Sequence, residues 1–138
     1  MTGHVDRHGR ALVTVSIRSS DSEPIQAVQV WIDTGCNGDL VLPRRHIDDL
    51  SLPPTGTLKA LLADGSEVAL RRYTCLIDWF GETRELEVVG NDGEYPLLGV
   101  GLLVDHDLRI SYRSGSVTAA LRSNSAFGAR RVDGLGIK

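Results

Sequence analysis

The chain has 138 residues, 41% of them apolar and 24% charged, and a formal net charge of −3. That length suits one domain with a real core and leaves little room for a second. The charges are mixed with no basic stripe, and no apolar run nears the roughly 20 residues that cross a bilayer, so neither nucleic acid nor a membrane is expected as a partner.

Residues 1–10 are polar, lack the apolar core of a signal peptide and are expected to form a flexible lead-in. Ala11, Val13, Val15 and Ile17 alternate with Leu12, Thr14, Ser16 and Arg18, a period of two that predicts a strand. A polar turn over residues 19–24 closes a hairpin. Val28, Val30 and Ile32 alternate with Gln29 and Trp31 in a second strand that runs into Asp33-Thr34-Gly35. Leu40-Val41-Leu42 is a third short run stopped by Pro43, and residues 44–50 have the length of a turn or two of helix, ended by Pro53-Pro54.

Residues 57–62 and 67–70 flank Ala63-Asp64-Gly65-Ser66. Asp-Gly between extended apolar segments is a strong hairpin signal. A second hairpin is predicted over residues 73–79 and 83–89 about Phe80-Gly81-Glu82. Pro96-Leu97-Leu98-Gly99 then leads into a predicted short helix, and residues 108–112 and 116–120 form the last hairpin. Many short strands with little helix predict an all-β barrel or sandwich over residues 11–120. Residues 121–138, rich in Gly, Ser and Arg, are expected to be a flexible tail.

Cys36 and Cys75 are too few for a disulfide framework and read as small, half-buried apolar residues, which fits a reducing compartment. A cytoplasmic location is the expectation. His4 and His8 are four apart, but the stretch between them lacks the glutamate of a His-Glu-x-x-His zinc motif. His46 and His106 are expected at the surface. No metal or organic cofactor is implied.

The informative segment is Val30-Trp31-Ile32-Asp33-Thr34-Gly35, where a strand delivers one carboxylate to a tight turn. By itself Asp-Thr-Gly is a weak signal, since Asx side chains commonly close turns. Its flanks make it specific: apolar strand residues before it, Leu40-Val41-Leu42-Pro43 after it, a hairpin tip at Ala63-Asp64-Gly65-Ser66, and Leu97-Leu98-Gly99 further on, in that order. Together they resemble the retropepsin-like aspartic proteases over roughly residues 13–120, and most of all the small bacterial members.

The resemblance implies a closed acid-protease barrel with one short helix after Gly99, active as a two-fold homodimer on peptide or protein substrates. It implies Asp33, Thr34 and Gly35 as the catalytic turn. It implies a flap formed by Ala63, Asp64, Gly65 and Ser66 over a substrate floor that includes Cys36, Asn37 and Leu98. Two positions depart from the retroviral pattern. There the motif is followed by alanine and an acidic residue, and the later glycine by arginine. Here those positions are Cys36, Asn37 and Val100, so the acid and the arginine that pair near the dimer contact are absent together. That leaves a second reading, a catalytically silent dimerisation or peptide-binding module on the same scaffold.

Overall fold

The computed structural model describes residues 1–122. Its strands are β1 (Thr2–Val5), β2 (Ala11–Arg18), β3 (Gln26–Ile32), β4 (Leu40–Pro43), β5 (Pro54–Leu61), β6 (Glu67–Trp79), β7 (Glu82–Asn91), β8 (Leu97–Leu98), β9 (His106–Ser111) and β10 (Ser116–Leu121). One helix, α1 (Arg44–Leu50), and one 3-10 turn (Val100–Leu102) complete it. Apart from Leu121 and Arg122, the tail expected over residues 121–138 lies outside the described residues.

The strands form one sheet in the order β5-β6-β7-β4-β8-β3-β2-β1-β10-β9, and β6 also pairs with β2. That extra pairing sets Ile17 opposite Ile77 and closes a circuit β2-β3-β8-β4-β7-β6-β2. Inside the circuit lie the alternating apolar positions read from the sequence: Val15 and Ile17 of β2, Val28, Val30 and Ile32 of β3, Leu40 and Leu42 of β4, and Ile77, Leu86, Val88 and Leu98. Burying this many branched side chains, each contributing about 1.5–3 kcal/mol, is what holds the short strands together.

Residues 1–10 are not a loose lead-in. Strand β1 lies between β2 and β10, with Gly3 opposite both Val13 and Val117. Its Thr-Gly-His-Val sequence has too little apolar pattern to announce a strand, and ladder bonds on both edges hold it instead. The α-helix stands at Arg44–Leu50, whereas the helix expected after Gly99 shrinks to one 3-10 turn. Two glycines in that stretch disfavour helix, and its amides are drawn to other carbonyls: Val100 N–H donates to the Cys36 oxygen and Gly101 N–H to the Gly38 oxygen.

Strand β6 runs unbroken for 13 residues, through the Arg71-Arg72 pair that separates two apolar segments in the sequence. Its first half pairs with β5 as a ribbon whose residues are mostly exposed, while its second half enters the core at Cys75, Ile77 and Trp79. His46 and His106, expected at the surface, are both half-buried. The His106 ring packs 4.5 Å from that of Phe80 and 5.5 Å from that of Trp79, and burial pushes its pKa below the usual histidine value.

Candidate active site

Alternation along β3 places Val28, Val30 and Ile32 in the core and Gln29 and Trp31 on the open face. Asp33 continues that alternation just past the strand, half-buried, so it emerges on the same face as Trp31. The Trp31 amide donates to the Pro96 oxygen at 2.8 Å and the Asp33 amide to the Leu98 oxygen at 2.9 Å, which docks the end of β3 against β8. The chain then turns back. Cys36 N–H donates to the Asp33 carbonyl at 3.1 Å, and Gly35 N–H donates to Asp33 Oδ1 at 2.9 Å. The carboxylate is therefore oriented by its own turn.

The return of the loop is clamped by residues 99–101. Gly99 N–H donates to the Asp39 carbonyl at 2.9 Å, beside the bonds from Val100 to Cys36 and from Gly101 to Gly38. No side chain fits here: a Cβ on Gly99 would collide with the Gly38 and Cys36 carbonyl oxygens, and one on Gly101 with the Asp39 carboxylate. The apolar-apolar-glycine signal thus has a physical cause, since two backbones must touch behind the carboxylate. Beneath the loop, burial raises the Asp39 carboxyl above its ordinary pKa, while Arg84 opposes the shift. Burial, with Asp39 adding to it, pushes the neighbouring Cys75 thiol up to about 12, so this cysteine stays a neutral core residue.

Asp33, Thr34, Gly35, Cys36, Asn37 and Leu98 are brought together at the β3–β8 crossing. Thr34, Gly35 and Asn37 are exposed and Cys36 is half-buried. Leu98, expected on the substrate floor, is fully buried, so it serves the site through its carbonyl and not its side chain. Its half-buried neighbour Leu97, opposite Trp31, takes the more open position. Ala63, Asp64, Gly65 and Ser66 sit on a different element, the exposed tip of the β5–β6 hairpin. There Leu62 N–H donates to the Ser66 oxygen at 2.8 Å, and Asp64 Oδ1 accepts from the Ser66 amide at 2.9 Å and hydroxyl at 2.6 Å. One face of the ribbon carries the apolar pairs Leu58–Leu70 and Ala60–Val68.

Three residues without a motif of their own gather around Trp31, on the open face of β3 two residues before Asp33 in sequence. The Trp31 and Tyr95 rings meet edge to face, with centroids 6.3 Å apart. The Arg10 guanidinium carbon lies 4.4 Å from the Tyr95 ring centre and 5.8 Å from that of Trp31. Asp6 holds Arg10 there, with Nε 2.8 Å from Oδ2, and the Tyr95 hydroxyl donates to Gln29 Oε1 at 3.1 Å. The Arg10 amide, the Arg10 guanidinium and the His8 amide hold the Asp6 carboxyl down at about 2. Positions 10, 31 and 95 lie on β1–β2, β3 and the segment before β8, and only folding unites them; the one sequence hint was a tryptophan on the polar side of a strand.

Among the described residues no cluster of His, Cys, Asp and Glu is arranged to hold a metal ion, and no helix is long and apolar enough to cross a membrane. No family model and no curated protein matches the chain. Solved structures do. A retropepsin-like aspartic protease from Rickettsia conorii superposes with a TM-score of 0.59 at 19% identity, covering 87% of this chain and 91% of that one. The EIAV protease complexed with the inhibitor HBY-793 superposes with a TM-score of 0.52 at 19% identity, covering 72% of this chain and 90% of that one. Both are similar in the course of the backbone and remote in sequence. The strand circuit around an apolar core, with an Asp-Thr-Gly turn docked against an apolar-apolar-glycine segment, is the retropepsin-like fold, and this chain has it.

Proposed function

We propose that the protein is an aspartic endopeptidase whose site is completed by pairing two copies of the chain. The observation that carries this reading is the half-buried Asp33 carboxylate, pre-oriented by Gly35 N–H on a turn clamped from behind by residues 99–101. One such group cannot act as both acid and base. A two-fold homodimer sets Asp33 against its own copy, and at close range the two share a proton and titrate as a pair. The ionised member takes a proton from a water bound between them while the protonated member gives one to the carbonyl oxygen of the substrate. Water oxygen bonds to the carbonyl carbon, a tetrahedral diol forms, and its collapse breaks the C–N bond with a proton passing to the leaving amine.

In this reading the circuit of strands is a closed barrel. Thr34 braces the two turns, and the apolar ribbon face of β5–β6 closes over an extended peptide with Ala63 to Ser66 at its tip. Strand β1 has both edges paired within the chain, so a sheet shared between copies would use the open edge of β9 or β5.

The test is hydrolysis of a mixed peptide pool by wild-type and Asp33→Asn proteins across pH 3 to 8, with and without a peptide inhibitor bearing a central hydroxyl. Cleavage best in mildly acidic conditions, blocked by the inhibitor and lost in Asp33→Asn, is the expected result; equal cleavage by both proteins overturns it. Cys36, Asn37 and Val100, where retroviral members carry alanine, an acid and arginine, favour the second reading of a silent peptide-binding module. That reading gains if neither protein cleaves and both bind the same peptide.

A further inference from the structure

We infer that the cavity between α1, the root of the β5–β6 ribbon and the end of β7 binds a small carboxylate with an apolar body, held between Arg44 and Arg71. The cavity has a volume of about 200 Å3 and is bordered by Arg44 and Ile47 of α1, by residues 68–71 and Tyr73 of β6, and by residues 90–92. None of these belongs to the Asp33 turn or to the segment clamped behind it, so the inference does not depend on the reading of Asp33. Alternation along β6 sets Arg71 on the same face as Tyr73, Cys75 and Ile77, the core face on which Ile47 also packs.

The floor of the cavity is apolar and closed. A Cβ on Gly90 would stand 2.8 Å from Ile47 Cδ1 and 3.1 Å from Tyr73 Cε1, so the bare glycine lets the isoleucine and the ring come together over the strand. The rim is charged and unbalanced. Arg72 pairs with Glu87 at 3.2 Å and Arg45 donates to the Glu94 carbonyl at 2.6 Å, which leaves Arg44 and Arg71 at the cavity. Among the described residues Arg71 has no ion pair. Arg44 has Asp92 at 3.6 Å, with both side chains largely in water, a contact worth little. One acid thus serves two guanidiniums. Each guanidinium presents a planar fork that matches a carboxylate, and the floor offers apolar surface to a hydrocarbon body attached to it. Inorganic phosphate would meet the charge and leave that floor wet, and a neutral hydrocarbon would do the reverse. The volume lies below the roughly 300–1,000 Å3 of drug-sized sites, which sets the ligand as a short organic acid. Held by both arginines, it would tie the root of the ribbon to α1.

The test titrates octanoate into the full chain and follows backbone amide signals by NMR, with octanamide, acetate and inorganic phosphate as controls. The expected result is octanoate bound roughly tenfold more tightly than any control, with shifts centred on Ile47, Tyr73 and Gly90 and slower amide exchange over residues 68–73. Arg44→Gln and Arg71→Gln are each expected to weaken octanoate by roughly fivefold, and the double variant by more than about tenfold. Arg109→Gln, an exposed arginine on the edge strand β9, is expected to leave binding within about twofold of wild type. Melting temperatures show that the variants are folded; both arginines stand at the rim and neither is buried in the core. No octanoate binding, a control that binds as tightly as octanoate, shifts centred elsewhere, unchanged exchange over residues 68–73, or an affinity that survives in the folded double variant overturns the inference.

Discussion

Gly35 N–H donates to Asp33 Oδ1 over 2.9 Å, so the motif glycine orients the motif carboxylate two residues earlier. Asparagine is isosteric and keeps an acceptor for that bond. The Asp33→Asn protein is therefore expected to melt within about 2 °C of wild type while peptide hydrolysis falls at least roughly a thousandfold, since removing a reacting group costs far more in turnover than in fold. Calorimetric melting and a fluorogenic peptide assay measure the two sides.

Adding one methyl behind the turn is expected to do the opposite. A Cβ at Gly99 collides with the Gly38 and Cys36 carbonyl oxygens, which are themselves held by the Gly101 and Val100 amides. Gly99→Ala is predicted to destabilise the chain by about 3 kcal/mol, at the upper end of overpacking costs, and to lower activity with it. Urea unfolding monitored through the two tryptophans reads the stability change.

If the β5–β6 hairpin serves as the proposed flap, it is predicted to be separable from the core. Gly65 has φ +88, bonds back to the Leu62 oxygen at 2.9 Å and is exposed. Gly65→Val forces a branched residue into left-handed backbone at a local cost of about 1–2 kcal/mol. Because the ribbon packs on little of the core, the melting temperature should move by less than about 2 °C, whereas kcat/KM should drop roughly tenfold. A melting temperature that falls as far as that of Gly99→Ala would show the hairpin to be structural.

Asp39 gives a pH signature. Its carboxyl is raised by burial, so the folded chain holds that proton more tightly than the unfolded chain does. Stability linked to this group is present below the ordinary carboxylate pKa of 3.8 and is lost as pH rises through the raised value. Asp39→Asn removes the penalty. It is expected to raise the melting temperature at pH 7 by roughly 1–2 °C, a small step because the residue is only partly buried, and to change nothing near pH 3.

The strands that build the core were legible because their alternation is strict: Val13, Val15 and Ile17, then Val28, Val30 and Ile32, meet as cross-strand neighbours such as Val13–Val30 and Val15–Val28. The β5–β6 hairpin turn and the Phe80-Gly81 hairpin were legible from turn chemistry, with φ of 88 at Gly65 and 83 at Gly81. Strand β1 was not, because Thr2-Gly3-His4-Val5 is held by backbone bonds to partners up to 116 residues away in sequence and carries almost no hydrophobic pattern. Leu98 was misplaced for a related reason. A two-residue strand gives no phase, and only the pairing of Leu97 with Trp31 and of Leu98 with Ile32 tells which leucine faces the core. The Arg10–Trp31–Tyr95 cluster was hidden most deeply, since these residues meet only through the order of β2, β3 and β8 in the sheet.

In the proposed enzyme each site draws one Asp33 from each of two chains, and a mixing experiment tests this directly. Wild-type and Asp33→Asn proteins are combined in equal amounts, allowed to exchange, and assayed at fixed total protein. If both carboxylates are needed, only pairs of two wild-type chains cleave, and random pairing leaves about one quarter of the all-wild-type activity. Activity that instead falls only to about one half, in proportion to the wild-type chain present, would mean that each chain works alone and that no shared site exists.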